Sequence, residues 1–104
     1  MSEINLTVRT FRMGTDKEAA LKPLEEAAEV FGAWQETVGC GKSEQCKECS
    51  LKDALGCMGH IDLADEIADC IQACVNLADR YGIDLQAAME RCEERNRRRG
   101  RYDD

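Results

Sequence analysis

The sequence predicts an all-α domain, on three observations. Apolar side chains recur three or four residues apart through three separate stretches, which is the spacing of one helix face. Each stretch opens near a capping residue and closes near a glycine. Alternation of apolar and polar residues, the mark of a strand, is confined to residues 4–11. A chain of 104 residues is sized for a single domain over its full length, 1–104. Its core is too small to enclose a deep cleft, so a bundle completed by oligomerisation is expected.

The elements follow in order. In residues 1–14, Ile4, Leu6 and Val8 alternate with Asn5, Thr7 and Arg9, giving an N-terminal extended segment. Thr15-Asp16-Lys17-Glu18 has the spacing of a capping box and opens the first helix. Pro23 either kinks that helix or begins a second one, because proline is tolerated in a first turn. Leu24, Ala28, Phe31, Val30, Trp34 and Val38 carry its apolar positions up to Gly39, the expected stop. Residues 39–60 break the pattern with four glycines, four cysteines and the only histidine, and read as a Cys-rich insertion. Within it, Ser50 could open one short helix that ends near Gly56. Asp62 is the expected cap of the next helix. Its stripe is Leu63, Ile67, Cys70 or Ile71, Cys74, Leu77 and Tyr81, and Gly82 ends it. Asp84 caps a last helix through Leu85, Ala88, Met89 and Cys92 that finishes near Gly100. Trp34, Tyr81, Cys70, Cys74 and Cys92 are expected in the core, with base stacking by Trp34 or Tyr102 as the alternative use of those rings.

Charge narrows the function. The net charge is −7 and unevenly spread. Residues 1–90 hold eight basic and seventeen acidic side chains, whereas residues 91–104 hold six and four. An acidic body argues against duplex nucleic acid as partner, since phosphate binding needs a basic face. No apolar run approaches the ~20 residues of a membrane span. The N-terminal residues lack the basic-then-apolar pattern of a secretory signal, so the expected location is the cytoplasm. In that reducing compartment seven cysteines read as metal ligands, core residues or reactive thiols before disulfides.

Two helices carry acids three residues apart: Glu26 and Glu29 in Glu25-Glu26-Ala27-Ala28-Glu29, and Glu66 with Asp69 in Glu66-Ile67-Ala68-Asp69. Such pairs share a helix face. On facing helices they gather four carboxylates whose repulsion calls for a cation, and hard oxygen ligands suit Mg²⁺ or Mn²⁺. The plainer reading is a solvated acidic face. Placement favours the site, because these acids border apolar stripes instead of lying opposite them. A di-iron carboxylate bundle wants Glu-x-x-His on two helices, and His60 follows no Glu at that spacing.

The order Glu25-Glu26-Ala-Ala-Glu29, then Glu66-Ile-Ala-Asp69, then Asn96-Arg-Arg-Arg99 resembles the MazG nucleotide pyrophosphohydrolases of the all-α NTP pyrophosphatase superfamily. The likeness spans roughly residues 17–101 apart from the insertion. It implies a MazG-like helical bundle, with the insertion joining the two metal-bearing helices, acting as a homodimer or homotetramer. It also implies a Mg²⁺-dependent hydrolase that cleaves nucleoside triphosphates between the α and β phosphates, giving the monophosphate and pyrophosphate. By motif position Glu26, Glu29, Glu66 and Asp69 would hold Mg²⁺. Asn96 would contact the metal-bound substrate or nucleoside, and Arg99 the phosphates. Where the family often has lysine, four residues before the Asn, this chain has Cys92, with Arg91 and Arg95 as neighbouring cations. Glu26 or Glu25 is the candidate to align or deprotonate the attacking water. The arginines of the last turn have a second explanation in the helix macrodipole.

The insertion holds Cys46-Lys-Glu-Cys49 and Cys57-Met-Gly-His60. Two such chelating pairs supply four ligands for tetrahedral Zn²⁺. Free thiols, or an oxidised pair, are the alternative. A second reading of the whole chain therefore stands beside the hydrolase: a non-enzymatic, helical, zinc-binding interaction module whose acids are only a solvated face.

Overall fold

A computed structural model describes residues 3–39 and 58–102. Among them the chain is all-helical, with α1 over Asp16–Gly39, α2 over Met58–Arg80 and α3 over Leu85–Arg98, and with no strand. Residues 40–57, with Cys46, Cys49, Cys57 and the short helix expected after Ser50, lie outside the described residues.

The caps behave as the sequence dictates. Thr15 Oγ1 accepts from the Glu18 backbone N–H at 3.2 Å, and its hydroxyl donates back to Glu18 Oε1 at 3.2 Å. Asp84 caps α3 by accepting from the Ala87 N–H at 3.0 Å. Gly82 takes a φ of +63° beyond the end of α2. The Ile83 N–H there bonds Ala78 O, and the Gly82 N–H bonds Asp79 O. This is a Schellman closure, repeated at Gly100 where the Arg101 N–H reaches Asn96 O.

Two boundaries differ from expectation. α1 is one helix that runs through Pro23. Proline removes one backbone donor there, and the turns on either side keep the helix going. α2 starts at Met58, four residues before the expected Asp62 cap, so the last three residues of the predicted insertion, His60 included, are helical.

α1 packs along α2, and this pair is the body of the chain. Residues 3–13 stay irregular but are tied to α2 by polar bonds. Gln72 Nε2 donates to Arg9 O at 2.7 Å, and the Phe11 N–H donates to Asn76 Oδ1 at 2.9 Å. Arg80 donates to Gly14 O at 3.1 Å and to Asp16 Oδ1 at 2.6 Å. Gly14 turns the arm into α1 at φ +73°, where an added Cβ would meet Glu18 Oε2 at 2.6 Å.

Burial is sparse. The buried hydrophobic residues among those described are Ala33, Ala73 and Ala78, and no large side chain is fully buried. Trp34, Phe31, Leu24, Ile67 and Tyr81 are exposed. Cys70 and Cys92 are half-buried and Cys74 is exposed, so within one copy the expected core positions are only partly covered. No described helix is long and apolar enough to cross a membrane.

Candidate metal centre

The α1–α2 pairing brings Glu26, Glu29 and Glu66 together. One carboxylate oxygen from each lies within 4.8 Å of the others. Helical spacing puts Glu26 and Glu29 on one face of α1, and α2 presents Glu66 across from them. Glu26 is only 7% exposed, the one buried charged residue among those described. Lys22, one turn back on α1, sets its Nζ 3.2 Å from Glu26 Oε1 and 3.7 Å from Glu25 Oε2. The hydrogen bond to Glu26, then the charges of Glu26 and Glu25, raise the Lys22 pKa.

The opposite oxygens are uncompensated. Glu26 Oε2 and Glu66 Oε2 are buried with no hydrogen-bond partner among the described residues. A buried carboxylate oxygen without a partner is costly, and either a proton or a cation relieves it. The proton solution appears in Glu29. A hydrogen bond shared with Glu66, then one with Glu26, and the repulsion of both carboxylates raise its pKa to about 7. Near pH 7 Glu29 is therefore about half protonated, and a divalent cation would displace that proton.

This makes a prediction for the metal-free protein. The Glu29 pKa is raised from 4.5 to about 7, so the native chain keeps a proton that the unfolded chain loses. The resulting stabilisation is complete below about 4.5 and is lost as pH rises through about 7. Melting temperature should fall across that window without divalent metal. Saturating Mg²⁺ should flatten or reverse the slope, because the metal requires the deprotonated cluster. A metal-free melting temperature that rises steadily from pH 5 to 8 would contradict the proton held on Glu29.

The other expected site residues lie elsewhere. Asp69 is exposed on α2 and is not among the three clustered acids. Glu25 is exposed and faces Lys22. Asn96 is half-buried on α3, where its amide donates to Cys92 Sγ at 3.4 Å and to Tyr102 Oη at 3.2 Å. Arg95 and Arg99, with Arg98, line a shallow depression of about 300 Å³. Tyr102 lies under Arg97, 6.0 Å from guanidinium carbon to ring centroid. The His60 backbone belongs to α2, while the rest of the expected zinc set falls outside the described residues. Sequence reasoning misses Lys22. Its signal was present, four residues before Glu26, as an ordinary i,i+4 ion pair.

No protein-family model, curated protein or solved structure matches this chain.

Proposed function

We propose that the chain is a Mg²⁺-dependent nucleoside triphosphate pyrophosphohydrolase of the MazG-like kind, working in the cytoplasm as a homodimer or homotetramer. The observation that carries this reading is the pair of buried, unpartnered oxygens, Glu26 Oε2 and Glu66 Oε2, within a cluster of three carboxylates. A purely structural cluster would spend those oxygens on donors. A solvated acidic face would not bury them.

Glu26, Glu29 and Glu66 would hold Mg²⁺ or Mn²⁺, and Asp69, three residues beyond Glu66 and exposed, would complete the set. Held by these residues, such an ion would neutralise phosphate charge and lower the pKa of a water. The chain's own residues do the rest. Lys22 fixes Glu26 by Oε1 and leaves Oε2 for the ion, so Glu26 through that ion, or Glu25 beside it, would align or deprotonate the attacking water. Glu29 releases its proton near neutrality and so readies the cluster at physiological pH. Water oxygen bonds to the α phosphorus, and the α–β bridging oxygen leaves with pyrophosphate. Positioning and charge neutralisation suffice for phosphoryl transfer, so no nucleophilic triad is needed. Arg95, Arg99 and Asn96 would meet phosphates or nucleoside, and with α3 touching α1 and α2 so little, the copy they serve can be the partner's.

A panel of nucleoside triphosphates with Mg²⁺ tests the reading. Pyrophosphate and the monophosphate should appear in equal amounts. Orthophosphate with a nucleoside diphosphate would overturn the reaction. No turnover of any nucleotide would favour the zinc-binding interaction module instead.

For the insertion we propose Zn²⁺ on Cys46, Cys49, Cys57 and His60, from the spacing of the two chelating pairs. Protein purified without chelator should carry about one zinc per chain. Removing it should loosen residues 40–60 in hydrogen exchange and leave the Mg²⁺ requirement in place. Freshly reduced protein with no zinc and a protected insertion would rule this out.

A further inference from the structure

A cavity of about 320 Å³ lies between the N-terminal arm and the helix pair. Phe11 and Met13 of the arm, Lys22 of α1, and Ala73, Asn76 and Arg80 of α2 line it. That volume is in the range of small-molecule sites. The arm is held over it by polar clamps, so the wall is positioned without a packed core behind it.

The clamps also fix the polarity of Asn76. Its Oδ1 accepts from the Phe11 N–H at 2.9 Å and from Gln72 Nε2 at 2.8 Å. Both acceptor positions are therefore used, and the amide plane is set. Its Nδ2 keeps two N–H donors with no partner among the described residues. Asn76 can thus donate to a ligand in the cavity but cannot accept from it. Lys22 connects this cavity to the carboxylates, since it lines the one and lies 3.2 Å from Glu26 Oε1 of the other.

We propose that this cavity takes the nucleoside end of the substrate, with the base against Phe11, a ring carbonyl accepting from Asn76 Nδ2, and the phosphates passing Lys22 to reach Glu26, Glu29 and Glu66. The proposal rests on the pyrophosphohydrolase reading and adds a specificity to it. Asparagine reads adenine by donating to the ring and accepting from the amino group. The second half of that pairing is closed here. Adenine is also the common base without a ring carbonyl. Uracil, thymine, cytosine and guanine each offer one, so ATP should be the poorest of the common nucleotides.

Asn76→Asp separates recognition from folding. Aspartate keeps an oxygen for Phe11 and Gln72, so the arm stays docked, and it replaces both free donors by an acceptor. The KM for UTP, CTP and GTP should rise by at least about tenfold, the worth of roughly one hydrogen bond. The loss should fall on KM more than on kcat, and the preference over ATP should shrink or invert. Phe11→Ala should raise KM for all nucleotides alike. Unchanged KM and an unchanged ATP ratio in Asn76→Asp, with pyrophosphate still released, would overturn the pocket and leave the reaction standing. If the wild-type protein releases no pyrophosphate at all, the hydrolase reading fails, and uridine titrated against labelled protein decides the pocket separately. Shifts at the Phe11 and Asn76 amides support it, and silent amides overturn it.

Discussion

Glu29→Gln should abolish turnover and, in the same protein, raise the melting temperature at pH 8 in the absence of divalent metal. The two effects share one cause. Glu29 sits beside Glu26 and Glu66, and their bonds and charges hold its proton on up to about pH 7. Above that pH the cluster holds three carboxylates, with Lys22 as its counter-ion among the described residues. Glutamine removes one of those charges and supplies an N–H donor for Glu66 Oε2 or Glu26 Oε2, the two oxygens that lack partners. The proposed metal would lose a charged ligand by the same change. Replacing groups that hold or orient a metal commonly costs about 10–100-fold in affinity or activity, and direct loss of a ligand should cost at least ~10²-fold in turnover. Asp69→Asn should match the loss of turnover without the gain in stability, because Asp69 is exposed and outside the cluster. Activity assays beside thermal melts at pH 5 and 8 separate the cases. Near-full activity in both variants would return the acids to a solvated face.

The helices and most of their ends were legible in the sequence because they depend on local rules; the start of α2 at Met58 and the passage of α1 through Pro23 were not. Thr15, Asp84, Gly82 and Gly100 act within four or five residues of themselves, and each does what its side chain or φ requires. Glu26, Glu29 and Glu66 were legible for a related reason, since spacing fixes which helix face an acid occupies. Spacing does not fix the side-chain reach across two helices. That is why Asp69 satisfied the pattern and still falls outside the cluster. The arm was the part least visible. Gln72, Asn76 and Arg80 read as an ordinary polar stripe at i, i+4 and i+8, and nothing local says that main-chain groups of residues 9–14 will use it. Periodicity likewise marked Phe31, Trp34 and Ile67 as apolar-face residues. It names the face to be covered and is silent about which molecule covers it.

Trp34→Glu should convert an oligomeric protein to monomers. Ala27, Val30, Phe31 and Trp34 of α1, with Leu63 and Ile67 of α2, form an open apolar groove of about 530 Å³. Phe31 and Trp34 stack at 5.7 Å, and both are about half exposed. The buried hydrophobic residues of the described chain are three alanines, too little apolar surface to offset the ordering of two long helices. A second copy laid on this groove would supply the missing core. Burying one large apolar side chain contributes about 1.5–3 kcal/mol, and a two-fold interface counts it twice. Losing Trp34 from both copies, with a charge in its place, should weaken assembly by at least about 3 kcal/mol, or roughly 10²-fold in Kd. Sedimentation at micromolar concentration should show a wild-type dimer or tetramer and a Trp34→Glu monomer with a lower melting temperature. Ile4→Glu is the control, since Ile4 is exposed on the arm away from the groove, and its mass should match wild type. A wild-type protein that stays monomeric at ~100 μM, or a Trp34→Glu variant of unchanged mass, would mean that this face is not where copies meet.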